Sequence, residues 1–142
     1  MSRPDTQVRE ELLSLAQELV NDQFAKEVAK RQNDASLTQG SGQYVLPPDN
    51  RAAEAQRIAR AWFDIYAPRG GDDMLNALKS AYELADQQYQ DEVDVAVFNA
   101  IKYTDTTNTE VASRSAYILP TDRRETNTGV YAVQYYELMQ AG

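Results

Sequence analysis

Neither cysteine nor histidine occurs anywhere in the chain. Without cysteine there is no disulfide, no thiolate nucleophile, no cysteine-ligated zinc and no haem attachment through sulfur. Without histidine there is no imidazole triad, no histidine-ligated metal and no proton shuttle that titrates near neutrality. Any chemistry would rest on Asp, Glu, Tyr, Lys, Arg, Ser or Thr. Long apolar runs are missing too, since no segment approaches the roughly 18 unbroken apolar residues of a membrane span. The opening "MSRPDTQVREELL" lacks the basic stretch followed by an apolar run that marks a secretory signal. These absences predict a protein that stays where it is made, cytoplasmic or carried in an assembled particle, with no membrane partner, no cofactor and no metal.

Basic residues are scarce in the second half. Nine basic and ten acidic groups occupy residues 1–71, whereas five and twelve occupy residues 72–142. No base lies between Lys79 and Lys102, while Glu83, Asp86, Asp91, Glu92 and Asp94 all fall in that gap. Such a field repels phosphate backbones, so direct nucleic-acid binding is not expected. It reads as a solvated face or as a surface that attracts a basic partner.

What the chain does contain is enough for one domain: 142 residues, 42% of them hydrophobic and 25% charged. Val8, Leu12, Leu15 and Leu19 recur at helical spacing and predict a first helix over about 5–30. The pattern then drifts through Val20, Phe24 and Val28, which a straight one-sided helix would leave badly placed. Either the helix bends or something covers its second half. From 32 to 50 periodicity vanishes, and "GSG" followed by "LPPDN" predicts a long connection. Tyr44, Val45 and Leu46 favour an ordered strap over a free arm. Ala55, Ile58, Trp62 and Ile65 define a second helix over 50–66, ended by "APRGG". Leu75, Leu78, Tyr82, Ala85 and Tyr89 define a third over 73–90, expected to pair with the second as an antiparallel hairpin.

The stretch "DEVDVAVFNAIKYTDTTNTEV", from Asp91 to Val111, fits two periods. As helix, Val93, Ala96, Val97 and Ala100 extend the third helix to about 30 residues, or ~45 Å. As strand, Val93, Val95, Val97 and Ile101 share a face. The β-branched content and the polar "TDTTNTE" favour strand. Alternation in "EVASRSAYIL" and the valines and tyrosines of "VYAVQYYELM" add two more. The expected fold is therefore α+β, with three N-terminal helices packed on a three-stranded antiparallel meander of about 93–104, 110–119 and 129–139.

That meander would have two apolar faces. Tyr131, Val133 and Tyr135 would lie opposite a row of Val130, Ala132, Tyr136 and Leu138, with neither row polar. No metal loop, phosphate loop or dinucleotide fingerprint is present, and Arg123 and Arg124 read as solvated loop charges. The leading expectation is thus a non-enzymatic structural or adaptor protein acting through homo-oligomerisation or assembly, of a size and charge that suit a small viral or bacterial accessory protein. Its expected interface residues are Phe24, Val28, Tyr44, Val45, Leu46, Tyr131, Val133 and Tyr135. Two alternatives stand beside it: an acidic inhibitor that occupies a basic nucleic-acid-binding surface through Glu83, Asp86, Asp91, Glu92 and Asp94, and a small carboxylate-based hydrolase.

Overall fold

The structure, a computed structural model, describes residues 4–37, 43–106 and 109–141, with the backbone alone for 102–106 and 109–112. The elements are α1 (Asp5–Ser36), α2 (Arg51–Tyr66), α3 (Gly71–Asn99), β1 (Ile101–Thr106), β2 (Thr109–Arg114) and α4 (Arg124–Ala141). This overturns the expected α+β fold. Residues 93–99 continue α3, residues 129–139 are helical, and no meander forms. What exists is a predominantly helical protein with one two-stranded ribbon, β1 antiparallel to β2. Residues 38–42 of the expected strap lie outside the described residues, as do the side chains of Lys102, Tyr103 and Val111.

Burial decides the disputed stretch. A β-branched or aromatic residue loses only a few tenths of a kcal/mol relative to a good helix former. Burying a large apolar side chain returns about 1.5–3 kcal/mol. In α3 the inward positions Leu78, Tyr82, Ala85, Tyr89 and Val93 step by four, three, four and four, and all are buried. In α4 the inward positions Arg124, Thr128 and Ala132 step by four, with Tyr131, Tyr135 and Tyr136 packed beside them. The valines and tyrosines of α4 are a strand-like composition, but the helical period buries more.

The helices run up, down, up and down. The closest pairs are α1 with α2 and α3 with α4, whereas α2 and α3, the expected hairpin, touch only lightly. α1 and α3 run parallel and in register: Lys79 Nζ lies 2.7 Å from Glu11, and Gln90 donates to Asp22 at 2.9 Å, both pairs 68 residues apart. Between the helices sits one core. Trp62, fully buried, meets Tyr82 edge-on at 5.9 Å and donates through Nε1 to the Glu125 carbonyl at 3.1 Å. The α2–α3 turn depends on glycine, since Gly70 and Gly71 adopt φ of 68° and 83°. Gly129 lets α4 approach α2, because a Cβ there would lie 2.7 Å from the Ile65 Cδ1.

Helix lengths divide the molecule. α1 and α3 have 32 and 29 residues, α2 and α4 only 16 and 18. α2 starts level with Asn21, which accepts from Arg51. α4 starts level with Asp22 and Asp86, which accept from Arg124. Beyond that level α1 and α3 continue for about 20 Å, accompanied by extended segments in place of helices. One is 43–50: Arg31 donates to the Val45 carbonyl, Gln32 donates to the Tyr44 hydroxyl, and Pro47 and Pro48 lie by Phe24. The other is 115–123: the Ser115 carbonyl accepts from Asn33, and its amide donates to Ala100. The result is a four-helix body with a two-helix stalk tipped by the β-ribbon. Among the described residues, no helix is long and apolar enough to cross a membrane.

Thr128 faces the core fully buried, and its hydroxyl has no hydrogen-bond partner among the described residues. An unsatisfied buried hydroxyl costs about 1–3 kcal/mol in desolvation, and valine has its shape without that demand. Thr128→Val is therefore expected to stabilise the fold by about 1 kcal/mol in urea unfolding; a loss of stability would show that the hydroxyl is bonded.

Candidate functional site

The densest polar constellation lies at the junction of body and stalk. Arg124, expected as a solvated loop charge, is among the largest fully buried side chains in the protein. Its Nη1 donates to Asp22 at 2.7 Å and to Asp86 at 2.9 Å. Its Nη2 and Nε reach Asp122 at 2.7 and 3.1 Å, a two-point grip. The guanidinium lies 4.1 Å from the Tyr89 ring centroid. Asp122 also turns the start of α4 by accepting from the Arg124 amide at 3.0 Å. Around this centre Lys26 donates to Asp22, Gln90 to Asp22 and Asp86, and Gln23 to Asp122. One cation thus ties α1, α3 and the lead-in to α4 together.

The titration behaviour follows from that arrangement. Burial alone would raise Asp22 and Asp122. Hydrogen bonds from Lys26, Gln90 and Arg124 outweigh it at Asp22, and those from Arg124 and Gln23 at Asp122, so both carboxyls are held below the usual value of 3.8. Burial would likewise depress Arg124, but Asp122, Asp22 and Asp86 hold its proton more tightly than usual. Tyr89 is pushed up to about 12, first by burial and then by the Asp122 charge. A guanidinium locked by three carboxylates offers neither a free base nor a free acid, so the constellation is a clamp and not a catalytic dyad.

Beside it opens a cavity of about 310 Å³ lined by Gln88, Tyr89, Glu92, Thr121, Arg123 and Asn127, among others. Among the described residues, Glu92 is the only carboxylate on its wall. The paired carboxylates that the hydrolase alternative needs do not converge there. Among the described residues no group of three potential ligands could hold a metal ion. A second, apolar groove of about 580 Å³ runs between α2 and α4, where Val133 lies with Trp62, Ile65 and Val130.

The other residues singled out from sequence fall as follows. Phe24 is half-buried under the Arg51 guanidinium, 4.2 Å from its ring centroid, and Val28 is half-buried on the same helix. The 47–51 segment thus lies against Val20 and Phe24, which covers part of the drifting stripe of α1. Tyr44, Val45 and Leu46 do not anchor their strap through apolar burial: Val45 is 78% exposed and Leu46 60%. Polar contacts to Arg31 and Gln32 hold the segment instead. Tyr131, Val133 and Tyr135 are all half-buried, with Tyr131 donating to Gln88; they belong to a helix and not to a sheet face. The acidic set divides. Asp86 points into the clamp and Glu92 into the cavity, while Glu83, Asp91 and Asp94 share an exposed stripe of α3 with Gln87.

Sequence reasoning missed Arg124 because its partners lie far off in the chain; "TDRRET", with an aspartate two residues before an arginine at a helix start, was the only local signal. It also missed the outer face of the stalk, where Val95, Phe98 and Ile118 are 59%, 68% and 86% exposed. No family model matches the chain, and the searches of curated proteins and of solved structures found no match. What the fold and site define is a class by geometry: a four-helix bundle clamped by a buried arginine, with an apolar stalk.

The clamp carries a pH signature. Asp22 and Asp122 have folded values below their unfolded ones, so their contribution is fully present above about pH 5 and is lost as pH falls through 3.8 to the lower folded values. Tyr89 has a raised folded value, so its contribution is present below pH 10.0 and is lost as pH rises toward about 12. Urea midpoints are expected to stay level between those limits and to fall on both sides, with Asp122→Asn flattening the acid limb. An acid limb unchanged in Asp122→Asn would remove the clamp from the account.

Proposed function

We propose that this chain is a non-enzymatic structural or adaptor protein that works by association, as a homo-oligomer or as a component of a larger assembly. The observation that carries this reading is the concentration of exposed large apolar side chains on the stalk. Val45, Leu46, Val95, Phe98 and Ile118 all lie beyond the level where α2 and α4 begin, in segments tied together through Arg31, Asn33 and Ser115. A chain of this size seldom leaves so many large side chains uncovered on one part of its surface unless something binds there. On α4, Val130 is exposed on the side facing α2, and Leu138 and Met139 on the side facing α3, so the body has scattered exposed apolar residues where the stalk has a concentration of them.

A second reading has its own observation. The exposed stripe Glu83, Gln87, Asp91 and Asp94 has no base after it on α3, and Lys79 before it is paired with Glu11, which favours an acidic inhibitor docked on a basic nucleic-acid-binding surface. Association through apolar contacts is preferred because Asp86 and Glu92 are turned away from that stripe.

Sedimentation velocity across micromolar concentrations tests the preferred reading. The chain is expected to grow beyond a single subunit as concentration rises, and Val45→Asp with Ile118→Asp is expected to shift it toward monomer while leaving the helical signal intact. A wild-type chain that sediments as one monomer at every concentration would defeat self-assembly.

A further inference from the structure

We infer that the outer face of α3 along the stalk is a docking face for a basic amphipathic helix of another protein. The inference rests on the association reading and names the partner of one of its surfaces. Leu84, Gln88, Asp91, Val95 and Phe98 step by four, three, four and three, the spacing that puts side chains in one stripe along a helix. Leu84, Val95 and Phe98 are the apolar members, and their exposure rises along the stripe from 37% through 59% to 68%. The opposite side of the same helix holds Tyr82, Ala85, Tyr89 and Val93 in the core. α3 therefore carries exposed apolar side chains, chiefly Val95 and Phe98, on the side turned away from its core, with Gln88 of the same stripe bonded by Tyr131 of α4.

The chemistry of the rim selects the occupant. Asp91 lies within the stripe and Glu83 and Asp94 edge it, and no lysine or arginine follows on α3 after Lys79. Lys79 itself is paired with Glu11. Of the bases nearby, Arg124 is buried in the clamp and Arg123 lines the cavity with Glu92, while Lys102 and Arg114 belong to the ribbon. A second copy laid on the same face by a two-fold axis would set carboxylates against carboxylates. A helix with apolar residues at heptad spacing, flanked by Lys or Arg, would bury Val95 and Phe98 and neutralise the rim. From Leu84 to Phe98 the face runs about 21 Å, the length of four helical turns. A partner helix would lie along this face with its anchors one turn apart.

The test uses the full chain and a synthetic helix of about 18 residues, with leucines at heptad positions and lysines flanking them. A control peptide carries glutamates in place of the lysines. Fluorescence anisotropy of the labelled peptides is read at low and high salt. The lysine peptide is expected to bind, to weaken about tenfold or more on raising salt, and to lose about tenfold or more against Asp91→Lys with Asp94→Lys. It is expected to lose binding against Val95→Asp with Phe98→Asp, whose exposed positions leave thermal unfolding unchanged. Equal binding of the glutamate peptide, equal binding to the charge-reversed variant, or no binding of the lysine peptide would overturn the inference. If Val95→Asp with Phe98→Asp instead dissolves an oligomer of the chain itself, a second copy occupies the face: the inference fails and the association reading stands.

Discussion

One buried guanidinium organises this fold. Arg124 enters a site that only a delocalised, multiply donating cation can satisfy: three carboxylates from three parts of the chain, and an aromatic face beneath. A lysine at the same place would offer a compact ammonium with no planar fork to grip Asp122 at two points while reaching Asp22 and Asp86. Removing these charges from water is expensive, and such clusters add little net stability over a well-packed apolar core. What the clamp supplies is specificity. It admits one register of α1 against α3 and one starting point for α4.

The division of the molecule follows from that starting point. Because α4 begins at the clamp and α2 begins level with it, the two long helices are sandwiched on one side of this level and flanked only by extended chain on the other. On the body side, α1 and α3 bury Val8, Leu12, Ala16, Met74, Leu75 and Leu78 almost completely. On the stalk side the same helices are held by polar contacts to backbone, such as Arg31 to Val45 and Asn33 to Ser115. Backbone contacts position a segment without closing the surface over apolar side chains. The exposed stalk is therefore a geometric consequence of where two helices stop, and it is where the association surfaces are proposed.

Much of the body was legible in sequence. The steps from Val8 to Leu19, from Ala55 to Ile65 and from Leu75 to Tyr89 are strongly periodic, and each lies on a helix. α4 was not legible, because its valines, threonines and tyrosines have strand-like composition. Its helical stripe, Arg124, Thr128 and Ala132, contains one apolar residue, so a hydrophobic period could not reveal it. The helix exists because α3 offers Tyr82, Ala85 and Tyr89 for it to cover, which is tertiary context overriding local preference. Residues 93–99 were misread for the same reason, since their valines mattered less than the burial of Val93 on a seam already running from Leu78. The clamp was invisible for another: Asp22 lies 102 residues from Arg124 in sequence, and Asp86 lies 38.

The claim that a single buried cation sets the junction is tested most directly by replacing it. Arg124→Met fills the site with a side chain of similar length and leaves Asp86 and Asp122 without their counter-charge, while Asp22 keeps Lys26. Breaking a fully buried ion cluster from one side costs about 3–5 kcal/mol; these carboxylates keep some contact with water, so equilibrium urea unfolding near neutral pH should show a loss of about 2–4 kcal/mol. A loss below about 1 kcal/mol, within the range of an exposed ion pair, would mean that Arg124 is not what holds the helices in register.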